Sequence, residues 1–143
     1  MNINSQIYDS YKKATVETVA PGKLLLMLFD GAILNIDNAK KAIGAKDVNT
    51  AHTLIIKTEN IILELMGSLK SEYEISQSLY NLYEYLYYQL VQANARKDIA
   101  KLDEVRGFLV EFRETWEQAM KKLSASALEK SQTPLKKTLN IKG

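Results

Sequence analysis

The sequence predicts an all-α protein: an antiparallel up-down four-helix bundle with an N-terminal arm and a mobile C-terminal tail. Three observations carry that expectation. Four segments of about 20 residues or more place apolar residues at steps of three and four, the repeat of an amphipathic helix. The links between them are about two to six residues long, and links that short force neighbouring helices to run antiparallel. Only 2 Pro and 6 Gly interrupt 143 residues. A chain of this length is expected to form one domain and to bury roughly 70% of the surface its unfolded form exposes. The expected division is an arm over 1–17, the bundle over 18–123 and a flexible tail over 124–143.

In the arm, Ile7, Tyr8 and Tyr11 supply about one helical turn of apolar side chains, too little to fold alone; composition alone is equally consistent with a frayed terminus and with a strip that docks on a groove. The first helix opens at Pro21, whose fixed φ and missing N–H suit the first helical position. It runs to about Ile43, where Gly44 is expected to end it. Leu25, Leu28, Phe29, Ala32, Ile36 and Ala39 form its core stripe, with Met27 and Leu34 nearly opposite. Asp47 is the expected N-cap of the second helix, which runs to about Met66 or Ser68. Its core stripe is Ala51, Leu54, Ile55, Ile61, Ile62, Leu65 and Leu69. Ile56 and Leu63 fall on the far side, with Asn60 between them.

Ser71 and Glu74 read as a capping box for the third helix, which ends near Arg96. Ile75, Leu79, Leu82, Tyr83, Leu86, Leu90 and Ala93 form its core face, and Tyr80, Tyr87 and Val91 a second stripe beside it. Asp98 caps the fourth helix, where Leu102, Val105, Leu109, Phe112, Trp116, Met120 and Leu123 step by threes and fours. After Leu123 the composition turns small, polar and basic around Pro134. A mobile tail is expected there, with only a weak signal for a short helix from Ser126 to Lys130.

The chemistry narrows the function. The net charge of +2 comes from 19 basic and 17 acidic residues that are interspersed, which gives no basic stripe for nucleic acid. No apolar run reaches bilayer length, so no membrane insertion is expected. The start, MNINSQIYDSYKK, lacks the apolar centre of a secretory signal, so the expected location is the cytoplasm. The absence of cysteine excludes disulfides and thiol chemistry. His52 is the single histidine, with no Glu three residues before it, so the Glu-x-x-His motif of di-metal bundles is missing. HExxH, GxGxxG and the phosphate-binding Gly-rich loop are missing too. Glu59 and Glu64 read as solvated, and His52 as a surface or boundary residue. No enzyme activity, catalytic residue, metal or cofactor is expected.

What stands out is apolar surplus on three helices: Met27 and Leu34; Ile56 and Leu63; Tyr80, Tyr87 and Val91. Tyrosines at helical spacing suit a core edge, yet Tyr is also enriched at binding surfaces. A monomer exposing all of this surplus would be prone to aggregate. A binding protein is the better expectation.

Four segments carry a resemblance. Tyr11, then Val16-Glu17-Thr18 and APGKLLLMLFDGAI, are followed by LIIKTENIILEL at Leu54–Leu65. LYEYLYYQLVQAN at Leu82–Asn94 and EVRGFLVEFRETWEQAM at Glu104–Met120 complete the set. In order and in spacing they resemble the flagellar secretion chaperone family, FliS, over nearly the whole chain up to Leu123. The resemblance implies a cytosolic helical bundle that binds the C-terminal segment of flagellin, keeps it from polymerising and helps present it to a component of the flagellar export gate. In that light Met27, Leu34, Ile56, Leu63, Tyr80 and Tyr87 are the expected apolar contacts, with Asn60 and Thr18 as polar anchors. Ile7, Tyr8 and Tyr11 are expected to occupy part of the groove until cargo displaces them, and the family's arm tyrosine implies contact with the gate. The chain departs from the family at Ala20, where Ser or Thr is common, and at Tyr88, where a basic residue is common. The alternative is a structural bundle whose extra apolar faces close a homo-oligomer such as a homodimer.

Overall fold

The computed structural model describes the backbone of residues 21–70 and 73–142 and the side chains of 22–70 and 73–126. The arm residues Ile7, Tyr8, Tyr11 and Thr18, and also Ala20 and Ser71, lie outside the described residues. Four helices follow one another: α1 over Pro21–Gly44, α2 over Val48–Gly67, α3 over Glu74–Arg96 and α4 over Ile99–Lys142. Each packs on two neighbours, in the order α1–α2–α3–α4–α1, and among the described residues the diagonal backbones stay apart.

Directions follow from who meets whom. Lys40 pairs with Asp103, Asp37 with Arg106, and Asp30 with Arg113, while the Trp116 indole N–H donates to the Gly22 carbonyl at 2.9 Å. As the number falls on α1 it rises on α4, so the two run antiparallel. Tyr83 meets Phe112 edge-on at 6.0 Å, and Tyr85 and Gln89 both reach Glu104. The α3/α4 pair therefore has the same sense. His52 faces Asn94, and Ile56 shares a cleft with Val91, which sets α2 against α3 likewise.

The centre is filled by the expected stripes. Phe29, Ala32, Ile36 and Ala39 of α1 meet Ile55, Ile61, Ile62 and Leu65 of α2, Tyr83, Leu86, Leu90 and Ala93 of α3, and Leu102, Val105 and Leu109 of α4. Each fully buried Leu or Ile contributes about 1.5–3 kcal/mol. Leu25, Leu28, Leu54, Leu69, Leu79, Phe112 and Trp116 pack around this cluster half-buried.

Two turns at one end share a design. Lys46 and Lys97 take the left-handed conformation, with φ of 61° and 51°, and the Asp that follows each caps the next helix. Asp47 Oδ1 accepts from Thr50 N, and Asp98 Oδ1 from Lys101 N. Asp47 N donates to Ala42 O and Asp98 N to Ala93 O, the long bond of a Schellman closure. Gly44 is thus the last helical residue of α1 and not its left-handed stop; that position belongs to Lys46.

Four expectations need correction. The N-cap of α3 is Tyr73, which makes no side-chain cap bond, so Ser71 and Glu74 do not frame the helix start. Ile75, assigned to the core, is 67% exposed; it sits in the first turn of α3, ahead of the first residue that reaches the core. Leu123 is 65% exposed, because Met120 already lies against Gly22 at the start of α1 and α4 then outruns its neighbour. Finally, α4 does not stop at Leu123: its helical backbone continues to Lys142. Helix hydrogen bonds are local to the chain, so the end of an apolar stripe does not by itself end a helix.

Candidate functional site

The outer seam between α2 and α3 gathers the surplus. On α2, Ile56 and Leu63 stand two turns apart, 37% and 46% exposed, both on the edge that faces α3. On α3, Tyr80 and Val91 are exposed, and Tyr87 lies half-buried between them against the core. Because the helices run antiparallel, Ile56 meets Val91 at one end of the seam, and Leu63 falls on the same line as Tyr80 and Tyr87 toward the other. A helix edge at this spacing is what the apolar face of an incoming helix needs. Asn60 is exposed on α2 but turns further toward solvent, off the seam.

Met27 and Leu34 are not part of it. They lie on the outward face of α1, a helix whose backbone stays apart from that of α3; Met27 is half-buried and Leu34 is 59% exposed. The sequence reading named six apolar contacts without assigning them to one groove; the fold places four along the seam and two on a second face.

At its upper end the seam opens into a cleft lined by His52, Ile56, Glu59, Val91, Asn94, Ala95 and Lys97. The polar half is wired together. Lys97 Nζ donates to Asn94 Oδ1 at 2.9 Å and to the Asn94 carbonyl. That fixes the amide with its NH₂ toward His52 Nδ1, 3.0 Å away. Nδ1 is then the acceptor, and the ring proton belongs on Nε2.

Glu59 overturns its solvated reading. It is only 6% exposed, and its Oε2 has no hydrogen-bond partner. Burial pushes its carboxyl above the usual carboxylate range, with the nearby His52 pulling weakly the other way. A buried acceptor left without a donor costs about 1–3 kcal/mol. The signal for burial was present in the sequence: the residues four before and three after it, Ile55 and Ile62, are both core, and those are its neighbours on the helix surface. Among the described residues, no group of His, Cys, Asp and Glu is placed to hold a metal ion, and no helix is long and apolar enough to cross a membrane.

Comparison with known proteins supplies the context for this seam. A family model described as "Flagellar protein FliS" matches residues 4–123. The chain belongs to the FliS family. It is 40% identical to the flagellar secretion chaperone FliS of Bacillus subtilis, over 79% of this chain and 85% of that one. It is 35% identical to the FliS of Salmonella typhimurium, over 78% and 85%. A crystal structure of a bacterial flagellar chaperone superposes with a TM-score of 0.68, covering 83% of this chain and 98% of that one at 17% identity; that likeness concerns the fold alone. The four segments that suggested FliS lie within the matched span, and Tyr88, where FliS sequences commonly carry a basic residue, is exposed on α3.

Proposed function

We propose that this protein is a cytosolic chaperone of flagellar export, and that the α2/α3 seam receives a helical piece of the C-terminal segment of flagellin. The observation that carries the reading is the line of Ile56, Leu63, Tyr80 and Val91 left uncovered between two helices in a chain of the FliS family. A disordered, amphipathic guest lays its apolar face into such a seam and pays for ordering as it binds, which keeps affinity below what the contact area would give. Release at the export machinery is then affordable in energy. The separate face at Met27 and Leu34 suits a second helical piece of the same guest, wrapped around the bundle. Asn60 and Thr18 are proposed as polar anchors beside these faces. Ile7, Tyr8 and Tyr11 of the arm are proposed to compete for the groove and to contact the export gate.

Calorimetry with a peptide covering the last ~40–60 residues of the cognate flagellin tests the reading. Binding with a negative heat-capacity change is expected, the mark of apolar burial. Absence of binding at micromolar concentrations defeats it. The competing occupant of the seam is a second copy of the chain, since symmetric dimers are common. Light scattering separates the two: a tight dimer indifferent to the peptide favours self-association.

A further inference from the structure

Elsewhere among the described residues, buried side-chain nitrogen and oxygen atoms have hydrogen-bond partners. Thr58 Oγ1 donates to the Leu54 carbonyl at 2.9 Å, and Gln89 Nε2 to Glu104 Oε2 at 3.1 Å. Glu59, the neighbour of Thr58, is as deeply placed and is not satisfied. The polar groups that share its cleft are paired with one another. Lys97 Nζ is held by the carbonyl and the side-chain oxygen of Asn94, and the Asn94 amide is held by His52. Ile56, Val91 and Ala95 supply the apolar part of the same open cleft. If the position served packing alone, Leu or Met would fill it without leaving an acceptor bare; the carboxylate is placed to take a donor that arrives in the cleft.

We propose that Glu59 is a recognition acceptor, to which the helix bound in the α2/α3 seam delivers an N–H donor side chain. The proposal rests on the reading of that seam as the flagellin site and adds to it a polar pin. Apolar contacts along a seam tolerate sliding by a turn; one donor meeting one buried carboxylate does not. Glu59 thus sets the register in which the guest lies, and the guest, seated on Ile56 and Val91, closes over the bond and so strengthens it.

Calorimetry of the full chain with the flagellin peptide, run on wild type, Glu59→Leu and Glu59→Gln beside thermal melts of the three free proteins, tests this. Glu59→Leu is expected to bind about tenfold or more weakly while melting at the same temperature as wild type or higher, because its folded state loses an unpaired carboxylate. Glu59→Gln distinguishes the donor: it keeps an acceptor oxygen but no charge, so a loss like that of Leu marks Lys or Arg, and near-wild-type binding marks Asn or Gln. Wild-type binding with Glu59→Leu equal or tighter overturns the proposal and leaves the flagellin reading intact. So does a Glu59→Leu protein whose weaker binding comes with a lower melting temperature, which marks a structural role. A wild-type chain that does not bind the peptide defeats both together.

Discussion

Where α1 meets α4, acidic and basic side chains face each other turn after turn: Lys40 with Asp103, Asp37 with Arg106, Asp30 with Arg113, then the Trp116 indole on the Gly22 carbonyl. Where α2 meets α3, the outer edge carries Ile56, Leu63, Tyr80 and Val91 exposed, above a carboxylate with one oxygen unpaired. Both seams flank the same core and have the same antiparallel geometry. The difference teaches which one is finished within the chain. Ion pairs on exposed edges contribute little stability, about 0–1 kcal/mol each, but they satisfy the helix edges and leave no apolar line for a guest. The α2/α3 edge does the reverse, and its two costs, exposed apolar area and an unpaired acid, are both of the kind that a bound helix removes.

The contrast between core and seam is broken most severely by placing the same charge in each. Leu109 is fully buried, and Leu109→Glu strands a charge where no partner exists. The loss is expected to exceed the ~5–15 kcal/mol that holds a domain folded, so circular dichroism should show no cooperative melt. Leu63→Glu should leave stability within about 0.5 kcal/mol of wild type yet weaken the flagellin peptide by more than about tenfold. A folded Leu109→Glu, or a Leu63→Glu that binds normally, would erase the distinction.

The two seams should also respond to pH with opposite sign. The Arg106 guanidinium, by its hydrogen bond first, holds the Asp37 carboxyl below the usual range. Its contribution is therefore present at neutral pH and is lost as pH falls below about 4. Both side chains are about a third exposed, so screening limits the effect of Asp37→Ala to about 1 kcal/mol or less, and added salt should shrink it. Glu59 is raised by burial, so its penalty is full above the raised value and fades as pH falls toward about 4.3, the ordinary glutamate value. Urea melts across this range should therefore show Asp37→Ala losing stability at neutral pH and Glu59→Gln gaining it, the two differences converging toward zero in acid. The smallest effect belongs to neither seam. Lys46→Gly relieves a left-handed backbone and should add about 1 kcal/mol, read as a rise in melting temperature without a change in peptide affinity.

Most of the core was legible in the sequence because stripes such as Phe29, Ala32, Ile36 and Ala39 repeat at the helical period and every turn of them has a partner. The reading failed where a stripe outlived its partner. Ile75 and Leu123 continue the apolar rhythm past the ends of the packed region, and rhythm alone does not say where the neighbour stops. The end of α4 was misplaced for the converse reason: an apolar stripe ending is not a helix ending. In the seam, period and exposure agreed for Ile56, Leu63 and Tyr80. Glu59 was misread because residue type was allowed to outweigh position, although Ile55 and Ile62 enclose it on the helix surface. Which helix edges adjoin, and hence that Met27 and Leu34 stand apart, depends on how the four helices are arranged around the centre, and single-helix periodicity does not carry that.

Lys97 ties a turn of the backbone to the wall of the cleft. The same left-handed backbone that turns α3 into α4 lets its ammonium fold back over Asn94, and Asn94 in turn orients His52 at the mouth of the cleft. A glycine at this position would ease the bend and toughen the protein against heat. It would also free the asparagine and the imidazole to swivel, so easing this bend, unlike the one at Lys46, loosens the wall of the cleft.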